Sequence, residues 1–238
     1  MVKYYGTSIL KPDGYSKHVA NFLTKDIKNN NRMIFIPADF EDVVEISYQI
    51  EKHLAYFSKI GIEFKEYVDI TMYVGSENIK EIILNADVII LGGGNPFVQF
   101  EYLKKYGIDV LLGEYNGVLM GYSAGAMCMS KHIVMTPLND EYPEFDIRDG
   151  MNLDGISIIP HFNINGSLIP DSITNEYGET MVIADLYQAS KYVGLLYLLS
   201  DVPQATFIRC EKELIEVIDG DCYLIEQGEI AKYESNNY

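Results

Sequence analysis

Positive charge is scarce in this chain. Its 238 residues carry 18 Lys and Arg against 35 Asp and Glu, a formal net charge of −17. That balance leaves no basic surface of the kind that counterion release from a nucleic-acid backbone or an anionic membrane requires, so neither is an expected partner. Only three arginines occur, Arg32, Arg148 and Arg209, and any bidentate carboxylate clamp has to draw on these or be absent. Cysteine is sparse too. Cys128, Cys210 and Cys222 lie far apart, with no C-x-x-C and no histidine at ligand spacing, which favours buried free thiols over a disulfide framework or a metal site. No cofactor or metal is expected. Neither G-x-G-x-x-G nor G-x-x-x-x-G-K-[ST] occurs, so a phosphate-cradling nucleotide site is disfavoured. There is no run of eighteen apolar residues, and Met1-Val2-Lys3-Tyr4-Tyr5-Gly6 lacks the charged-then-apolar layout of a signal peptide; a cytoplasmic protein is expected.

What is present is ample apolar content, 48% of the chain, arranged with two periods. Val2–Thr7, Met33–Pro37, Asp87–Leu91 and 117–122 read as strands, the middle two as continuous apolar runs suited to a parallel sheet covered on both faces. Between them, 14–30, 41–60, 77–86 and 97–106 repeat apolar residues at helical spacing; in 41–60 these are Val43, Ile46, Ile50, Leu54 and Phe57. Residues 62–68 alternate like a half-buried strand and 155–162 read as another. A loop follows over 163–175 and a helix over 176–190. Short strands from 206 onward, with turns at Asp219-Gly220 and Gln227-Gly228, suggest a small C-terminal antiparallel meander. The pattern predicts an α/β fold, a doubly wound, mostly parallel sheet flanked by helices, with ligands beyond the carboxyl ends of the strands. No repeat or linker interrupts it, so 1–238 is expected to be a single domain.

Val118-Leu119-Met120 leads directly into Gly121-Tyr122-Ser123-Ala124-Gly125, which fits G-x-S-x-G. That spacing suits a tight strand-to-helix turn, in which the glycines make room for crowded backbone and the serine hydroxyl is lifted off the sheet edge. Ser123 is therefore the candidate nucleophile. The Ala124 amide, at the start of the next helix, is a candidate oxyanion donor. Gly92-Gly93-Gly94-Asn95 follows a strand and lacks the side chains that would keep backbone N–H groups from a substrate oxygen, so Gly93 or Gly94 is the expected second donor.

A serine nucleophile needs a base and an orienter for that base. Of the four histidines, His18 and His53 fall in helices among lysines and are expected in solvent, while His132 is expected to end the helix after the serine. His161 closes a buried strand and is the candidate base. Between serine and histidine an acidic segment supplies the candidate third member: Asp140 first, then Glu141, with Asp146 and Glu144 behind. Asn95 and Phe162 are the candidate substrate contacts.

Ile89–Phe97, Gly121–Ala126 and Ile159–Phe162, in that order, resemble the dipeptidase E and cyanophycinase family of serine peptidases, which shares a flavodoxin-like fold similar to class I glutamine amidotransferases. The resemblance implies a Ser-His-acid peptidase with Ser123 as nucleophile and His161 as base, and places the acid in Leu138-Asn139-Asp140. It implies a small peptide substrate, with an acidic N-terminal residue in dipeptidase E, and a monomer or homodimer. One departure stands out. Gly178-Glu179-Thr180-Met181 resembles a stretch where dipeptidase E has an arginine after the threonine; here Met181 takes that place, and a thioether cannot pair with a carboxylate. An α/β-hydrolase esterase is disfavoured, because its histidine usually comes late in the chain and here only 38 residues separate serine and histidine. The alternative of another class is a non-catalytic peptide-binding relative, which would have no need of both side chains.

Overall fold

The structure, a computed structural model, describes residues 3–137, 145–164, 171–174, 180–211 and 214–233. Along the chain the elements are β1 (Lys3–Thr7), α1 (Lys17–Asp26), β2 (Arg32–Ile36), α2 (Val43–Lys59), β3 (Glu66–Asp69), a 3-10 turn (Ile70–Tyr73), α3 (Ile79–Leu84), β4 (Val88–Leu91), α4 (Pro96–Lys105), α5 (Ile108–Glu114), β5 (Val118–Tyr122) and α6 (Ala124–Met129). Beyond the serine come β6 (His132–Met135), β7 (Asp146–Asp149), β8 (Ile158–Ile159), β9 (Ser172–Thr174), β10 (Thr180–Val182), α7 (Ile183–Val193), β11 (Leu196–Leu199), β12 (Phe207–Glu211), β13 (Leu214–Asp219), β14 (Cys222–Glu226) and β15 (Glu229–Lys232).

Local chemistry sets the helix starts. Ser16 and Asp42 accept from the amides of Val19 and Glu45 and so cap α1 and α2, satisfying donors that have no partner inside the helix. At α4 the cap is Asn95, followed by Pro96, whose missing N–H costs nothing in a first turn.

Seven strands form the main sheet in the order β13-β12-β1-β5-β4-β2-β3. The five from β1 to β3 are mutually parallel, and β12 and β13 extend the sheet antiparallel. Strand alternation divides the apolar residues between two layers. Met33 and Phe35 of β2 pack with Val19, Leu23, Ile50 and Phe57 of α1 and α2, whereas Ile34 and Ile36 face α3 to α6 through Ile83, Phe100, Leu112 and Met127. Both faces are covered, which is why these strands read as unbroken apolar runs.

The C-terminal region departs from a single meander. β12 and β13 complete the main sheet, while β14 and β15 belong to a second sheet, β15-β14-β11-β8, in which β8 and β11 run parallel. The two sheets meet through Ile158, Tyr197, Ile208 and Cys222. The strand expected over 155–162 shrinks to Ile158–Ile159, and the helix expected over 176–190 begins only at Ile183, after β10; residues 175–179 lie outside the described ones. All three cysteines are buried and free. Among the described residues no helix is long and apolar enough to cross a membrane.

Candidate active site

Ser123 sits where β5 ends and α6 begins. Its amide donates to the Thr7 carbonyl at 2.9 Å, one step past the β1–β5 ladder, and its backbone then turns to φ 48°, ψ −108°. A non-glycine residue takes that conformation only where its surroundings impose it. They are visibly tight. A side chain on Gly121 would come within 2.6 Å of the Ala126 nitrogen, and one on Gly125 within 2.3 Å of the Leu91 carbonyl oxygen. Glycine at both positions lets α6 lie directly on β4 and β5, and the serine side chain is left pointing away from the sheet.

The partner is His161. Ser123 Oγ lies 2.9 Å from His161 Nε2, and His161 Nδ1 lies 2.8 Å from Asp201 Oδ2. Asp201 is buried, its side chain 1% exposed. Burial opposes its charged form, yet the hydrogen bond and charge of His161, helped by Ser8 and Asn163, hold its carboxyl below the ordinary value. A carboxylate can only accept, so Nδ1 carries a proton toward Asp201, and in the neutral ring this leaves Nε2 to accept from the serine hydroxyl. Asn163 anchors the acid by accepting from the Asp201 amide at 2.8 Å.

The carboxylate on His161 is therefore not the one the sequence points to. Asp140, Glu141 and Glu144 lie outside the described residues, and Asp146 starts β7, paired with Arg148 at 2.7 Å. Asp201 follows β11, parallel neighbour of β8, with Leu198 opposite Ile159. Two short steps past that pair bring His161 and Asp201 to the same edge. A signal existed in Leu195–Leu199, an apolar run that ends in Ser200-Asp201 as other strands here end in functional residues.

The remaining candidates separate clearly. Gly93 and Gly94 line the cavity around Ser123, and a side chain on Gly93 would lie 3.6 Å from Ser123 Cβ; its backbone is beside that serine. The loop is pinned from behind by Gln99, fully buried, whose amide donates to the Gly92 carbonyl at 3.2 Å, and by the Gly125 amide on the same carbonyl at 3.1 Å. Ala124 opens α6, where the first N–H groups have no intrahelical acceptor. Asn95 also lines the cavity, but its Oδ1 is engaged by the Phe97 and Val98 amides. Phe162 is not a cavity residue: its ring is fully buried, packed against Tyr223 with centroids 5.5 Å apart. His161 adopts φ 63°, and that turn sends the next side chain into the core of the second sheet.

Two other histidines also differ from expectation. His53 is 2% exposed, its ring 4.7 Å from that of Tyr122 and 5.6 Å from that of Phe35. Burial, with the Lys52 charge, pushes its pKa down to about 3, so it is neutral. Its place on the buried stripe with Ile46, Ile50 and Phe57 explains this. His132 begins β6, not the end of a helix, and lies 3.3 Å from Asp149. Among the described residues no group of three or more His, Cys, Asp or Glu side chains is disposed to hold a metal ion.

The cavity over Ser123 and His161 has a volume of about 520 Å³, enough for a small peptide. A strained serine, an imidazole held by a buried carboxylate, and backbone donors beside the serine together suit acyl transfer.

Comparison with known proteins agrees with this chemistry. The profile of peptidase family S51 matches residues 5–193. The chain is 28% identical to the Peptidase E of Nostoc sp. (strain PCC 7120) over 224 residues, 90% of this chain and 82% of that one. It is also 28% identical to the Peptidase E of Shewanella denitrificans over 157 residues, 63% of this chain and 61% of that one. Among solved structures, a peptidase from an acI-B1 Actinobacterium superposes with a TM-score of 0.62 at 17% identity, covering 98% of this chain and 97% of its own. A putative Peptidase E from Listeria monocytogenes EGD-e superposes at 0.54 and 20%, covering 98% of each. These two share the fold. With the family profile spanning most of its length, this chain belongs to peptidase family S51, and it is a peptidase.

Proposed function

We propose that the protein hydrolyses small peptides by a serine mechanism in which Ser123 is the nucleophile, His161 the general base and acid, and Asp201, in place of Asp140, the residue that orients the imidazole. The observation that carries this reading is the continuous chain from Ser123 Oγ through both ring nitrogens of His161 to Asp201 Oδ2. Ser123 Oγ adds to the scissile carbonyl while Nε2 takes its proton; the imidazolium that forms faces the Asp201 carboxylate. Ala124 and Gly93 or Gly94 offer amides to the oxyanion. As the tetrahedral intermediate collapses, His161 returns the proton to the leaving amine and an acyl-Ser123 remains. Water, deprotonated by the same nitrogen, then releases the acid product.

A serine-directed phosphonate is expected to label Ser123, located by peptide mapping, and Ser123→Ala to lower kcat on a small-peptide panel by about 10³-fold or more. Unchanged hydrolysis in the purified variant would sink the assignment. Thermal stabilisation of the wild type by peptides without any turnover would instead mark a peptide-binding relative.

A further inference from the structure

The cavity is chemically two-sided. From α2 come Glu45, Gln49, Lys52 and His53, which include both of the Lys, Arg, Asp or Glu side chains among its described lining residues; from β6, β8, β9 and β10 come Val134, Met135, Ile159, Ile173 and Met181. The second set is 2% to 8% exposed, and Val134, Ile159, Ile173 and Met181 belong to one packed cluster with Leu186 and Leu198. Met181 and Ile173 face each other across the β9–β10 pair. This wall is fixed by the core behind it and directly flanks the chain that carries His161.

Among the described residues the cavity's one lysine or arginine is Lys52 of α2, and the apolar set itself contains none. Between His132 and Arg209 the sequence has two permanently charged bases, Arg148 and Lys191. Arg148 is held by Asp146, with its guanidinium 3.9 Å from the Phe97 ring centre; Lys191 lies on α7 beside Tyr187 and Gln188, in a separate surface depression. The segments 138–144, 165–170 and 175–179 contain no lysine, arginine or histidine, so they bring none to the cavity. A carboxylate laid against Met181 would lose its water and gain no partner from these apolar side chains. An aliphatic or thioether side chain there exchanges water for dispersion contact with adaptable methionines.

The geometry points to a substrate preference for peptides whose residue on the acyl side of the scissile bond is apolar, Leu, Met or Phe, seated on Met181 and Ile173, and against those with Asp at that position. This rests on the serine-peptidase reading above and names its substrate class.

The test is kcat/KM for aminoacyl p-nitroanilides of Leu, Met, Phe, Asn and Asp, with wild type and Ser123→Ala. The wild type is expected to favour Leu over Asp by at least about tenfold, since single apolar contacts in such pockets discriminate by ten- to some hundredfold. Met181→Arg is expected to lower the Leu-to-Asp ratio about tenfold or more. Because an arginine at a buried position can prevent folding, Met181→Gln is measured beside it and lowers the ratio several-fold, while Met181→Leu keeps it. Ser123-dependent cleavage in which Asp equals or exceeds Leu overturns this inference and leaves the peptidase reading standing; no cleavage of any substrate by the wild type overturns both.

Discussion

At Asp201 the chemistry depends on which nitrogen of His161 holds the proton. Asparagine at this position fits the same space, but its amide can donate to Nδ1 and force the proton onto Nε2, where it meets the serine hydroxyl donor to donor. Asp201→Asn is expected to lower kcat by about 10³- to 10⁴-fold with KM little changed, whereas Asp140→Asn leaves kcat within about twofold. Steady-state kinetics on the two variants distinguishes the acids, and the reverse pattern would return the role to Asp140. The same scale shows why Ser123 and His161 were legible and Asp201 was not. The serine carries a five-residue signature dictated by its own turn, and His161 ends a recognisable apolar run; an aspartate has no local signature. What makes Asp201 special is that His161 and Asn163, from the segment after β8, and Ser8, from the end of β1, converge on it.

At the scale of elements, the serine depends on how closely α6 approaches β4. A methyl group added at Gly125 would meet the Leu91 carbonyl oxygen at 2.3 Å and Leu91 Cβ at 2.6 Å, backbone that can yield only if the helix moves and takes Ser123 with it. Gly125→Ala is expected to cost about 1–3 kcal/mol in denaturant unfolding and to reduce activity beyond what its stability explains. Gly113 in α5 is the opposite case: its added Cβ meets nothing within 4 Å, its φ is not positive, and Gly113→Ala is expected to stabilise by about 0.5–1 kcal/mol with activity unchanged. Equal destabilisation at both sites would mean that close approach of α6 is not what requires glycine. The first half of the chain was readable at this scale because β2 and β4 are built on continuous apolar runs and α1, α2 and α4 carry their own side-chain caps. Beyond Ser123 the strands are as short as two residues, too short to set a period. The missed β11 takes its form from β8 and β14, both distant in sequence.

Over the whole molecule, one buried ionic cluster ties the N-terminal strand to the C-terminal hairpin. Asp26 at the end of α1 accepts from Lys3 at 2.6 Å, Tyr5 at 2.6 Å and Arg209 Nε at 2.7 Å, and Arg209 continues to Glu211 and Glu216. Burial raises the Asp26 pKa, but the hydrogen bonds from Arg209, Lys3 and Tyr5 outweigh it and hold the carboxyl down at about 2. A depressed folded pKa means that the unfolded chain takes up the proton first. The stabilisation is complete above the ordinary aspartate value of 3.8 and is lost as pH falls toward 2; the shift corresponds to about 2 kcal/mol. Urea unfolding is therefore expected to show Asp26→Asn at least about 2 kcal/mol less stable than wild type at pH 7, with the gap narrowing as pH approaches 2. A gap independent of pH would mean that the charge of Asp26 contributes nothing. The chain's third arginine thus serves the architecture, and no arginine lines the cavity among the described residues.

The sequence by itself determined the α/β alternation, the tight turn at Ser123, the place of His161 at a strand end and the glycine loop beside them, because each is written in a few contiguous residues whose spacing obeys a strand, a helix or a turn. Tertiary structure alone decided the rest. It seated Asp201 on His161 through the parallel pairing of β8 with β11, turned Phe162 into the core and His53 out of solvent, and set Met181 among apolar neighbours that no local pattern connects. Those outcomes are sums of contacts between segments far apart in the chain, and a carboxylate or a methionine acquires its role only from what the fold brings against it.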